Sequence, residues 1–120
     1  MLSKYEQTIL DGWEDVHKRS QLSLWILLAL KDGPKHMAKI KDFIVEITHN
    51  TINADDKSMY RALRRFVDTE LIGFTTKPSK SGPDLKIYRL SEIGEKVLGE
   101  FVKRNIFNVY FNQQFKELIK

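Results

Sequence analysis

A mainly α-helical chain with one small β-hairpin is the fold class this sequence predicts, and three observations predict it. Apolar residues recur at helical spacing through four stretches before residue 71 and again after residue 91. The period shortens to alternation only in "FTTK" and "LKIYRL", which flank the turn-rich "PSKSGPD". A length of 120 residues, 42% of them hydrophobic, suits one domain able to bury its own core.

The elements follow in order. Ser3 is placed to cap a first helix running to about Val16, with Tyr5, Ile9, Trp13 and Val16 along one side. "HKRS" reads as a charged break, with Ser20 as a second N-cap. The helix that follows, Leu22 to Leu30, is apolar nearly all round, as a helix buried on most sides would be. It is far short of the roughly 20 residues a membrane span needs. "KDGP" stops it, with Gly33 just past the helix and Pro34 blocking continuation. A third helix is predicted from Lys35 to about Thr48, carrying Met37, Ile40, Phe43, Ile44 and Ile47. "HNTINAD" has no period and many turn formers, so it is a loop.

Asp55 or Asp56 caps the next helix, which is expected to reach Glu70 and to end at Gly73. Its apolar stripe is Met59, Leu63 and Phe66; Lys57, Arg61, Arg64 and Arg65 lie on the opposite side. The hairpin comes next, Leu85 and Ile87 alternating with Lys86 and Tyr88. Ser91 then caps a final helix whose first turn carries Glu92 and Glu95. The C-terminal segment is read as helical throughout or broken once near Asn105.

Helices followed at once by a two-stranded finger make the order of a winged helix-turn-helix. In that motif the second helix of the pair enters the major groove, about 12 Å wide, and the hairpin wing lies beside it. This divides the chain into an N-terminal helix, 1–19, a winged domain, 20–90, and a C-terminal dimerisation helix, 91–120. Charge is distributed to match. From Lys57 to Arg89 there are eight basic and three acidic residues, an excess of five, against +4 for the whole chain. The rest is therefore near neutral, and double-stranded DNA is the partner this predicts. Arg61 and Arg65, one turn apart, are the strongest candidates, able to reach a guanine edge or a phosphate. Arg64 shares their side but is also spaced to pair with Asp68. Lys57 and Ser58 stand at the helix start, where the N-terminus favours phosphate. Lys77, Lys80 and Lys86 are candidate wing contacts, and Arg89 is placed to anchor the wing internally. For each lysine the alternative is a solvated side chain.

The end of the chain carries Phe101, Phe107, Tyr110, Phe111 and Phe115, too many large apolar groups for a solvated tail. A homodimer in which they pack against a partner and against Tyr5, Ile9 and Trp13 resolves this. A small-molecule effector near Trp13 is conceivable but unsupported, since aromatic crowding usually means core. The three histidines are scattered without ligand spacing, and no cysteine is present, so no metal or other cofactor is expected. No phosphate cradle and no nucleophile with a spaced base appears, so an enzyme is not expected. The N-terminus lacks the apolar core of a signal peptide, which fits a cytoplasmic protein.

Three stretches together resemble the PadR-like transcriptional regulators. "LSLWILLALKDGPKHMAKI" is similar to that family's apolar helix, Gly-Pro break and following His, here Gly33, Pro34 and His36. "SMYRALRRFVDTELIGF" is similar to its Thr-Leu-Tyr helix, with Ser58, Tyr60 and Leu63 in register. "GPDLKIYRLSEIGEKVL" resembles its wing and exit, matching at Gly82, Pro83, Lys86, Tyr88, Arg89, Leu90, Gly94 and Leu98. The resemblance spans about Gln21 to Phe101. It implies a homodimer on an operator of inverted symmetry, usually a repressor, with the Tyr60 hydroxyl on a phosphate. A winged helix used only for protein assembly is the competing expectation.

Overall fold

A computed structural model describes all residues, 1–120, in the order α1 (Lys4–Asp32), α2 (Met37–Ile47), α3 (Asp56–Asp68), β1 (Ile72–Lys77), β2 (Leu85–Leu90) and α4 (Glu92–Val102). A π-helical turn (Lys103–Phe107) then leads into α5 (Asn108–Tyr110) and α6 (Gln113–Leu118). The predicted fold class is what is observed: helices around one antiparallel hairpin, in winged helix-turn-helix order.

The expected break at "HKRS" does not occur, and α1 runs through it for 29 residues. Charged residues without Gly or Pro do not stop a helix when they pair along it. Lys18 pairs with Glu14 at 3.4 Å, Arg19 pairs with Asp15, and Gln21 meets His17 at 2.7 Å, all one turn apart. Ser20 turns its hydroxyl back onto the His17 carbonyl, 2.7 Å, and caps nothing. The boundary at residues 19 and 20 thus falls inside one rod. Gly33 ends that rod at φ +153°, outside the range of ordinary side chains.

The second half of α1 forms the core with the other helices. Ile26, Leu27, Ala29 and Leu30 pack with Ile40 and Ile44 of α2, and with Met59, Ala62, Leu63 and Phe66 of α3. Ile72, Tyr88 and Leu98 close it from the hairpin and α4. Helix α2 starts two residues later than expected because Lys35 is used elsewhere. Its backbone exchanges two hydrogen bonds with Tyr88, at 3.0 and 2.9 Å, adding a short third rung to the wing. The Lys35 ammonium folds back on the Ala29 carbonyl, 2.7 Å, closing the C-terminus of α1.

Gly73 does not end α3. The helix stops at Asp68, Glu70 takes the left-handed turn at φ 65°, and Gly73 lies in β1 opposite Arg89. Tyr88 belongs to the core and packs its ring 5.9 Å from Phe74, its partner in register. The C-terminal break is at Asn112 rather than Asn105. Asn112 is extended (ψ 157°) and caps α6 through the Phe115 N–H, 2.7 Å. Asn105 stays inside the π-helical turn, its side chain 3.1 Å from the Phe101 carbonyl.

The molecule is elongated, 50 × 34 × 22 Å with a radius of gyration of 16.9 Å. A compact chain of this length has about 14 Å. The first half of α1 accounts for much of this: Tyr5, Ile9, Trp13 and Val16 are all exposed. Phe101, Phe107, Tyr110 and Phe111 are exposed too, while Phe115 is half-buried against Tyr110. Within one chain neither set covers the other.

Candidate nucleic-acid interface

Helix α3 presents its polar side because its apolar side is consumed by the core. Met59, Ala62, Leu63 and Phe66 point inward, which leaves Lys57, Tyr60, Arg61, Arg64 and Arg65 exposed. The two aspartates before the helix have separate tasks. Asp55 caps α3 by accepting from the Ser58 N–H at 2.7 Å. Asp56 accepts from Lys41 of α2 at 2.6 Å, tying the two helices of the motif together. Neither carboxylate forms an ion pair with the arginines. Arg61, Arg64 and Arg65 make no ion pair in the protein, so the expected Arg64–Asp68 pair is not formed. Three guanidiniums without carboxylate partners on one helical face are free to meet an anionic partner.

The hydrogen bond from Ser58, aided by Arg61 and Lys41, holds the Asp55 carboxyl below its usual pKa of 3.8. A depressed carboxylate contributes stability that is complete above that value and lost as pH falls through the lower one. Urea unfolding of the wild type and of Asp55→Ala should therefore differ at pH 7, and the gap should close only below about pH 4.

The wing stands beside α3 across an open groove of about 670 Å³. Lys57, Tyr60, Arg61 and Arg64 line one wall, Phe74, Lys86 and Tyr88 the other. Lys86 lies over the Phe74 ring at 4.7 Å, which holds its ammonium above the groove. Arg89 reaches across the hairpin to the Thr75 hydroxyl at 3.3 Å, an internal anchor as expected. Lys77 and Lys80 are exposed, Lys77 at the outer end of β1 opposite Leu85 and Lys80 in the tip. The structure thus gathers Lys57, Tyr60, Arg61, Arg64 and Lys86 around one groove. Ser58 and Arg65 lie on the neighbouring flank toward α1, in a cleft that also includes Lys18 and Arg19. Phe74 and Tyr88 were absent from the residues expected here. The pairing Phe74–Tyr88 follows from strand register, which a sequence without a defined turn length leaves open.

This arrangement matches known proteins. The family model described as "Transcriptional regulator PadR-like family" matches residues 26–100. No protein of curated function matches the chain. Among solved structures, a PadR family transcriptional regulator from Eggerthella lenta is similar over 97% of each chain, with 19% identity and a TM-score of 0.77. A PadR-like regulator from Bacillus cereus shares 21% identity over 84% of this chain and 93% of its own, TM-score 0.66. Bacillus subtilis PadR, solved in complex with operator DNA, shares 23% identity over 68% of this chain and 46% of its own, TM-score 0.61. At these identities the structures establish the fold. The family is one of transcriptional regulators rather than enzymes. With the family model covering the whole of the winged domain from Ile26 onward, the chain belongs to the PadR-like family of transcriptional regulators.

Proposed function

We propose that this chain is a repressor that binds an inverted-repeat operator as a homodimer. Helix α3 lies in the major groove and the wing on the flanking backbone. The observation that carries this reading is the trio Arg61, Arg64 and Arg65, exposed and without carboxylate partners, of which Arg61 and Arg64 line the groove that Lys86 of the wing also lines. The operator complex of the Bacillus subtilis relative supports DNA as the ligand, and a cytoplasmic location is consistent with that ligand. Arg61 and Arg65 read or hold the duplex, Tyr60 and Ser58 hold phosphates, and Lys57, Lys77, Lys80 and Lys86 add charge. The acidic lead-in to α3, Asp55-Asp56, would favour the competing protein-assembly role if it were unpaired. That support lapses, because Asp55 is a cap and Asp56 is paired with Lys41.

The dimer is supported by the uncovered aromatic surface. Residues 1–19 and 91–120 supply it, with Tyr5, Ile9 and Trp13 from one end and Phe101, Phe107, Tyr110, Phe111 and Phe115 from the other. A two-fold assembly of this kind sets two α3 helices about 34 Å apart, one turn of duplex. Trp13, 72% exposed in the single chain, is the largest of these groups and the expected anchor. Trp13→Glu should raise the dimer dissociation constant by about hundredfold, measured by sedimentation. Footprinting of wild type on a genome-selected fragment should show two protected half-sites about 10 base pairs apart, and the variant should lose both together. A wild-type chain that sediments as a monomer would contradict the proposal.

A further inference from the structure

Tyr88 is the only tyrosine in the core, 5% exposed. Packing accounts for its ring but not for its hydroxyl. The hydroxyl has no hydrogen-bond partner in the protein, yet it is not sealed, since no fully buried side-chain polar atom lacks a partner. The spaces beside it are the α3–wing groove and a second groove of about 440 Å³. The second is bounded by His36, Met37 and Ala38 at the start of α2, by Tyr60, and by Asp84 and Lys86 of the wing.

Helix α2 opens onto that second groove with its donors free. His36 is its N-cap but makes no side-chain bond, and the first helical bond runs from the Ile40 N–H to the His36 carbonyl, 3.0 Å. The N–H groups of Met37, Ala38 and Lys39 therefore have no acceptor within the chain. A helix start with free N–H groups favours an anion. Tyr60 and Lys86 border the same space, and Lys86 lines both grooves. Burial first, and then neighbouring Tyr60, push the Tyr88 pKa upward, so the hydroxyl stays protonated and able to donate.

We infer that this groove seats one phosphodiester of the DNA backbone, with the Tyr88 hydroxyl donating to it from below, the start of α2 from one side and Lys86 from the other. The inference rests on the DNA-binding reading and adds a contact to the same face. A duplex phosphate suits the site better than a free anion. Asp84 opposes any anion in the groove, and a phosphodiester offsets that cost because the rest of the duplex is held by the arginine face next to it.

The test uses Tyr88→Phe, which removes one oxygen and keeps the ring. Affinity for a genome-selected duplex, read by fluorescence anisotropy, should fall about tenfold, with the melting temperature unchanged or slightly raised. The duplex is then made with single uncharged methylphosphonates, one position at a time. At one phosphate per half-site the substitution should weaken the wild type more than it weakens Tyr88→Phe, the signature of a shared contact, the loss that remains being that of Lys86 and the start of α2. Equal affinity of Tyr88→Phe and wild type, with Arg61→Ala still weakened, overturns the phosphate seat and leaves the DNA-binding reading standing. So does a weakened Tyr88→Phe whose methylphosphonate losses match the wild type at every position. A wild-type chain that binds no fragment overturns both.

Discussion

Replacing Arg61 and Arg65 together by alanine should weaken binding to a selected duplex by a hundredfold or more, while the melting temperature moves by less than about 2 °C. Each guanidinium that forks onto a base edge or a phosphate is worth about 1–3 kcal/mol, so two per protomer give at least that loss. Stability is spared because neither side chain is buried and neither pairs with a carboxylate. Exposed substitutions away from caps and cores cost within about 0.5 kcal/mol. A large fall in melting temperature would show that these arginines hold the fold rather than a ligand.

Gly94→Ala should destabilise the fold by about 3 kcal/mol, near the upper end of overpacking effects, and lower the melting temperature by on the order of 10 °C. Calorimetry measures both. The start of α4 lies against the carbonyl of Leu71, so close that an added Cβ would sit 2.1 Å from that oxygen and 2.7 Å from Leu90 Cδ1. Backbone cannot yield there cheaply, because the same carbonyl accepts from the Ser91 N–H at 3.0 Å and has the Ser91 hydroxyl at 2.9 Å. That hydroxyl also lies 2.6 Å from the Glu70 carbonyl and accepts from the Gly94 N–H at 2.9 Å. Ser91 and Gly94 thus weld the exit of the wing to the left-handed turn after α3. An unchanged melting temperature in Gly94→Ala would mean that this junction is looser than its distances imply.

Most of this organisation was legible because it rests on local chemistry. Met59, Leu63 and Phe66 keep helical spacing, Ser3, Asp55 and Ser91 are caps, and Gly33-Pro34 is a stop; each acts within a turn or two of itself. The misreadings share a different physics. The run "HKRS" resembles a break by polarity, but polarity does not stop a helix whose charges pair one turn apart. Gly73 resembles a helix end, but Glu70 took the left-handed turn, a conformation non-glycine residues can adopt. Ile52 is buried at 6% exposure inside a loop with no period, held by the Thr48 hydroxyl against its own N–H, 3.1 Å. Only tertiary contact reveals such a residue. The charged side of α3 could be read from spacing alone. The groove could not, because Phe74, Lys86 and Tyr88 come to it through strand register and through the bridge from Lys35 to Tyr88.

The most direct measurement is the salt dependence of affinity for a selected duplex, between about 50 and 200 mM, for the wild type and for Arg61→Ala/Arg65→Ala. The logarithm of the wild-type constant should fall linearly with the logarithm of salt. The variant should be shallower by about two to four in slope, since four guanidiniums leave the dimer and each phosphate contact contributes about 0.9. Two parallel lines, or a wild-type affinity indifferent to salt, would contradict the assignment of DNA binding to this face of α3.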